Sequence, residues 1–242
     1  MTTKVDAMVI GAGVAGLYQI HQLREAALSV QGVEAGSDVG GTWYWNRYPG
    51  AKFDSESYIY QYLFDEDLYK DWSWSERFPG QPEIEQWLHY VTDRLDLRKD
   101  IRFSTRVTKA VFNEDTGRWL VETDTGDSYD TQFVIGCTGM LSAPLEDRFP
   151  GQASFKGAIV HTGKYPKDGL DLDGKRVGVI GTGATGIQVI QTIADRVGEL
   201  KVFVRTPLYV LPMKRPKYGP EETAWYKRRF DELKRNLPLT FT

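Results

Sequence analysis

The pattern G-x-G-x-x-G occurs twice, as Gly11-Ala-Gly13-Val-Ala-Gly16 and as Gly181-Thr-Gly183-Ala-Thr-Gly186. Each copy follows a short apolar run, Val5 to Ile10 in one case and Lys175 to Ile180 in the other. Each is followed by a stretch with a periodic apolar face, so both read as strand, tight turn and helix. In that setting the first glycine permits the turn and the second lets the backbone approach a pyrophosphate. The third allows close helix–strand packing, and the helix N-terminus offers free amides and the positive end of its dipole. A tight turn without a ligand is the plain alternative for the first copy.

What ends the following strand separates the two copies. Glu34 stands eighteen residues past Gly16, and Arg205 stands nineteen past Gly186. A carboxylate accepts hydrogen bonds from ribose hydroxyls and repels a 2′-phosphate, whereas a guanidinium binds that phosphate through paired donors. The first site, with Gly11, Gly13, Ala15, Gly16 and Glu34, is therefore expected to take FAD or NAD. The second, with Gly181, Thr182, Gly183, Ala184, Thr185, Gly186, Arg205 and Thr206, is expected to take NADP, with Lys201 or Lys214 adding charge. A solvated surface arginine is the competing reading of Arg205. Two such sites in one chain imply hydride passing from NADPH to a flavin.

The fold class follows as α/β, with two Rossmann-like dinucleotide-binding domains in three layers, a parallel sheet carrying an antiparallel meander, and each domain incomplete. Helices are expected over Val14 to Ala27, Ser55 to Phe64, Pro82 to Leu95 and Glu221 to Arg235. Strands are expected at Ser29 to Glu34 and Leu200 to Arg205. Ile101 to Ser104, Val107 to Asn113, Arg118 to Thr123 and Gln132 to Cys137 read as the meander, turned at Asp115-Thr-Gly117 and Asp124-Thr-Gly126. The prolines at 144 and 150 mark a connection. The division is residues 1–140 for the FAD part, 141–206 for the linker and NADP part, and 207–242 for the start of a helical insertion.

A net charge of −3 gives no reason to expect a nucleic-acid or membrane-surface partner. The single cysteine, Cys137, excludes an internal disulfide and fits a reducing compartment. No signal peptide and no run near the ~20 apolar residues of a membrane span are evident, so a cytoplasmic protein is expected. No metal is implied. Seven Trp and thirteen Tyr, many between 42 and 78, either fill a core or line a ligand site.

Two longer stretches carry a family resemblance. Phe155-Lys-Gly157-Ala-Ile-Val-His161-Thr-Gly-Lys-Tyr165-Pro166 matches F-x-G-x-x-x-H-x-x-x-W-P with tyrosine in place of the tryptophan. Gly40-Gly41-Thr42-Trp43-Tyr-Trp-Asn-Arg47-Tyr-Pro-Gly-Ala-Lys-Phe-Asp54 matches a second signature. On these residues the chain resembles the Baeyer–Villiger monooxygenases, class B flavoproteins of the cyclohexanone and phenylacetone monooxygenase kind.

The resemblance implies FAD- and NADPH-dependent oxidation of a small ketone to an ester or lactone with O2, through a peroxyflavin. It implies that Gly41, Thr42 and Trp43 lie along FAD, that Val107 contacts the adenine through its backbone, and that Thr138 closes the FAD part beside Cys137. Tyr60 would line the same pocket. Asp54 and His161 are the implied catalytic residues, Asp54 facing the flavin and nicotinamide and His161 serving domain positioning. A helix cap for Asp54 and a packed linker histidine for His161 are the plain alternatives. Arg47 is not taken as the catalytic arginine, which the resemblance puts outside this chain. The chain would be the N-terminal part of a longer enzyme and poorly active alone. An N-hydroxylating or sulfur-oxidising flavoenzyme, or a non-catalytic nucleotide-binding module, are the competing functions.

Overall fold

The computed structural model describes residues 2–144 and 149–236. The first half of the described chain runs β1 (Thr2–Ile10), α1 (Val14–Glu25), β2 (Val30–Val33), α2 (Thr42–Trp45), α3 (Glu66–Asp71) and α4 (Gln81–Arg94). Next come β3 (Ile101–Arg102), β4 (Val107–Asn113), β5 (Arg118–Thr123) and β6 (Ser128–Gly136). The last elements are β7 (Arg176–Ile180), α5 (Ala184–Ile193), β8 (Glu199–Phe203), α6 (Pro220–Arg228) and α7 (Phe230–Asn236). The chain packs as two units, one of residues 1–46 and 88–164 and the other of residues 47–87 and 165–242.

The first unit is built on a six-stranded sheet in the order β3-β2-β1-β6-β5-β4. β1 pairs in parallel with β2 and with β6, while β5 runs antiparallel to both β4 and β6. β1 is central because Ala7, Met8 and Val9 are all fully buried. Around it Met8, Val33, Val121 and Tyr129 form a cluster joining the parallel and antiparallel halves. α1 lays Gly16, Leu17 and Ile20 on the sheet. The carboxylate of Asp6 accepts from the Ser29 amide and hydroxyl at 2.8 and 2.6 Å, fixing where β2 starts against β1. Gly117 and Gly126 supply the positive φ that the two hairpin turns need, 63° and 84°.

Two expectations change here. Ile101 to Ser104 is not a meander strand: β3 pairs in parallel with β2 at the opposite edge of the sheet. Its short apolar run holds no information about which edge it joins, since the partner lies some seventy residues back along the chain. The final meander strand is longer than Gln132 to Cys137, because its first residues pair with both β1 and β5.

The second unit holds a two-stranded parallel sheet, β7-β8, with α5 between them. The expected helix over Ser55 to Phe64 is only a single 3-10 turn at Ser57–Ile59. Its aromatics go inward instead: Phe53 stacks on Tyr60 at 4.5 Å and meets Trp74 edge-on at 5.9 Å. Trp74 in turn packs on Trp87 at 5.8 Å, and both tryptophans are essentially fully buried. A second group joins Tyr58, Tyr69, Tyr226 and Phe230. Phe53, Tyr69, Trp74, Trp87, Tyr226 and Phe230 are buried core, while Tyr58 and Tyr60 are half-buried beside them. Asp65 caps α3 by accepting from the Leu68 amide at 2.9 Å. The helix expected over Glu221 to Arg235 is broken at Arg229, where ψ is 15°, into α6 and α7. Among the described residues no helix is long and apolar enough to cross a membrane.

Candidate dinucleotide sites

At the first glycine turn each glycine has a separate reason. Gly11 has φ 105°, and its amide donates to the Val33 carbonyl at 2.8 Å, so the turn is hung from the end of β2. A Cβ on Gly11 would lie 2.5 Å from the Cys137 carbonyl oxygen, and one on Gly16 1.8 Å from that of Gly11. On Gly13 it would sit 3.2 Å from the Cα of Gly41, which has φ 53° itself. The two backbones therefore touch at Gly13 and Gly41, the second residue of the second signature. The Ala12 carbonyl accepts from the Gly40 amide at 3.0 Å and ties the loops together. Gly13 is the N-cap of α1, and having no side chain it caps the helix with none.

Glu34 is the hub of this site. It is 6 % exposed, with Oε2 accepting from the Ala12 amide at 2.8 Å and Oε1 from the Gly36 amide at 2.7 Å. Its own carbonyl accepts from the amide of buried Thr105 at 2.9 Å. The carboxylate thus braces the glycine turn from inside and keeps further lone pairs for other donors. Ala12, Gly36 and Thr105 were not among the residues picked out from sequence. They act through backbone groups, which no side-chain pattern announces.

Trp43 is buried and Thr42 exposed on α2, and the Tyr44 hydroxyl accepts from the Ser37 amide at 3.0 Å. Val107 is half-buried at the start of β4, where the ladder to β5 carries a bulge. Thr138 and Gly139 follow β6 in the open, Gly139 at φ 75°. Cys137 donates its amide to the Ile10 carbonyl at 2.8 Å, and burial pushes its thiol above the ordinary range. Its Cβ lies 3.6 Å from where a Cβ on Gly16 would stand, an ordinary contact distance, so Cys137 packs beside the third glycine.

The second glycine turn repeats the backbone pattern in more open surroundings, since a Cβ on Gly181, unlike one on Gly11, would meet nothing within 4 Å. Gly181 has φ 97° and donates to the Phe203 carbonyl at 2.9 Å, and a Cβ on Gly186 would lie 2.3 Å from the Gly181 carbonyl oxygen. Gly183, however, has an ordinary φ of −67°, and a Cβ there would meet nothing within 4 Å. Neither conformation nor packing within the protein calls for glycine at 183. What it preserves is open space over the N-terminus of α5, the fit that a pyrophosphate requires.

Thr182, Ala184 and Thr185 flank that space. Arg205 and Thr206 follow β8, both exposed, and no ion pair engages Arg205 among the described residues. Lys201 is paired with Glu199 at 3.1 Å, and Lys214 is exposed away from the strand.

Asp54 lies in the second unit, exposed, with no hydrogen bond or ion pair among the described residues. It caps nothing: Glu56 is the N-cap of the following 3-10 turn and makes no side-chain cap. Tyr60 packs between Phe53 and Trp87. Arg47 is bound to Glu85 at 2.5 Å, a sufficient structural role.

In the linker fingerprint, a Cβ on Gly157 would strike the Phe155 ring at 2.6 Å, so the glycine makes room for the phenylalanine. His161 is exposed rather than packed, and its Nδ1 accepts from the Gly163 amide at 3.1 Å. That bond puts the neutral ring's proton on Nε2, a donor facing outward. Tyr165, in the tryptophan position, is partly buried, and that burial raises its phenol above the usual range.

The flavin-binding monooxygenase-like family matches residues 4–242. The acetone monooxygenase (methyl acetate-forming) of Gordonia sp. strain TY-5 is 67 % identical over 241 residues, covering 100 % of this chain and 45 % of that protein. A crystal structure of cyclohexanone monooxygenase bound to epsilon-caprolactone superposes with a TM-score of 0.92 at 45 % identity, covering 96 % of this chain and 45 % of that one. An oxidized steroid monooxygenase bound to NADP superposes with a TM-score of 0.90 at 48 % identity, covering 95 % and 44 %. The chain thus spans just under half the length of these relatives.

Proposed function

Because the chain belongs to the flavin-binding monooxygenase-like family, we propose that it forms the dinucleotide-binding part of an FAD- and NADPH-dependent Baeyer–Villiger monooxygenase. The reaction is oxidation of a small ketone to an ester or lactone with O2. Likeness to an acetone monooxygenase favours a short acyclic ketone. The observation that carries the reading is the pair of glycine turns, each hung by its first glycine's amide from the following strand, at Val33 and at Phe203, and followed by opposite charges at Glu34 and Arg205.

Bound FAD would supply the redox and oxygen chemistry, and NADPH the hydride. The chain's own residues bind and orient. Gly11, Gly13, Ala15 and Gly16 with Gly41 form the cradle for the FAD pyrophosphate, and Glu34 accepts from the ribose while bracing the turn. Thr42, Trp43, Val107 and Thr138 line the flavin side. Gly181 to Gly186 hold the second pyrophosphate, and Arg205 with Thr206 takes the 2′-phosphate. Asp54 presents an unengaged carboxylate for a polar group of the nicotinamide, and His161 offers Nε2–H as a donor. Partners are the ketone and O2, with no nucleic acid. The single half-buried thiol of Cys137 supports a cytoplasmic setting.

The test is direct. The purified intact protein should carry a yellow flavin that NADPH bleaches anaerobically and NADH bleaches poorly. In air, acetone should give methyl acetate. A colourless protein, or flavin reduction without any ester from a panel of short ketones, refutes the proposal.

A further inference from the structure

The segment carrying Asp54 is fastened to the helix that opens at the second glycine turn, and one side chain does most of the fastening. Gln188 lies on α5, two residues past Gly186, and is 9 % exposed. Its Oε1 accepts from the Tyr48 hydroxyl at 2.9 Å and from the Lys52 amide at 3.4 Å. Its Nε2 donates to the Lys52 carbonyl at 2.9 Å. One amide therefore grips both main-chain groups of Lys52, as a neighbouring strand would. Only a side chain with donor and acceptor on one carbon can do this.

Gly50 completes the seat. It has φ 79°, and a Cβ there would lie 2.1 Å from Thr192 Oγ1 and 2.6 Å from the Gln188 carbonyl oxygen. Side chains at 50 are therefore refused both by conformation and by α5. Ala51 is held through its carbonyl by the Gln81 amide at 2.8 Å, and Phe53 is buried on Tyr60. Residues 48–53 are fixed at nearly every position, and Asp54 is the first side chain beyond them that is unengaged.

We propose that Gln188 is a positioning residue that couples the second glycine turn to Asp54. A nicotinamide dinucleotide seated on the N-terminus of α5 then orders residues 48–54 together with the helix. This rests on the reading of Gly181 to Gly186 as the cofactor site. Gln188 touches neither the reacting atoms nor, on this reading, the cofactor. It acts through Lys52 and the strand-like segment.

Hydrogen–deuterium exchange on the intact, flavin-loaded protein tests it, with NADP+ binding followed separately by calorimetry. In the wild type, saturating NADP+ should slow amide exchange in residues 48–54 by tenfold or more. In Gln188→Leu the same peptide should exchange at least tenfold faster without ligand, and NADP+ should no longer slow it, while residues 84–94 of α4 stay unchanged. Gln188→Glu, which keeps the acceptor for Tyr48 but turns an oxygen on the Lys52 carbonyl, should respond in the same direction and guards against a leucine variant that does not fold.

The rate of flavin reduction at saturating NADPH should fall at least fivefold in both variants while NADP+ affinity changes less than threefold. Binding of NADP+ without any change in 48–54 exchange, or a response retained in both variants, overturns the coupling alone. Failure of the wild type to bind NADP+ sinks the cofactor reading and the coupling with it.

Discussion

Replacing Glu34 by glutamine removes one charge from the interior of the first glycine turn and leaves its shape unchanged. In the native side chain both oxygens are acceptors for backbone amides, Ala12 at 2.8 Å and Gly36 at 2.7 Å, in a residue only 6 % exposed. Hydrogen bonds to a charged partner contribute about 1.5–3 kcal/mol each. The amide of glutamine keeps one acceptor, so one bond survives as a neutral contact of about 1 kcal/mol. The other position now holds an NH2 group facing an N–H, and that buried donor loses its partner at a cost of about 1–3 kcal/mol.

The sum is a destabilisation of about 3 kcal/mol, or a fall in Tm of about 6–12 °C for a chain of this size. Differential scanning calorimetry of the flavin-free protein measures it without any contribution from the cofactor. The same variant should lose flavin on gel filtration, because the turn it relaxes is the proposed pyrophosphate cradle. A flavin-free Tm within 2 °C of the wild type would refute the bracing role assigned to Glu34.

Three further outcomes are expected. Arg205→Ala should raise KM for NADPH about 10–100-fold and leave that for NADH nearly unchanged, since a charge-assisted contact to a phosphate is lost and Lys201 is already committed to Glu199; steady-state oxidation of both nucleotides reads this out. Gly183→Ala should fold with an unchanged Tm yet bind NADP+ at least tenfold more weakly, whereas Gly186→Ala, whose Cβ falls 2.3 Å from a carbonyl oxygen, should lose about 2 kcal/mol or more of stability by urea denaturation.

The third concerns Asp38. Burial alone would raise its carboxyl, but the Arg98 guanidinium, the Val39 amide and nearby His89 hold it below its usual value of 3.8. A depressed folded value stabilises above the unfolded one and is lost as pH falls through the folded one. The stability gap between wild type and Arg98→Ala, followed by circular dichroism, should therefore be full at pH 7 and shrink below about pH 4.

Several features were legible because they are local. Positive φ at Gly11 and Gly181, and the packing of Gly16 and Gly186 against them, are demands of one strand–turn–helix unit, and the residue order states them. The charge of Glu34 and Arg205 is equally explicit. The partners of these residues are another matter. Nothing in Ile101 to Arg102 says that it joins β2 rather than β4, because strand pairing is decided by contacts distant along the chain. Ser55 to Phe64 has the spacing of a helix, but Phe53, Tyr60, Trp74 and Trp87 gain more by packing ring on ring than a helix would return. Gln188 was invisible for the same reason: a glutamine on a helix is ordinary until its amide is seen closing on Lys52.

The sequence by itself determined that there are two glycine turns, that each starts a β–α unit, and that their terminal charges differ, since these depend on backbone sterics and on which atoms a side chain carries. Only the tertiary structure decided that Gly13 rests on Gly41, that Glu34 spends both oxygens bracing the turn, and that the segment from Tyr48 to Asp54 is seated on α5. Those are close approaches between pieces far apart in the chain, set by which surfaces can exclude water and satisfy every buried amide together.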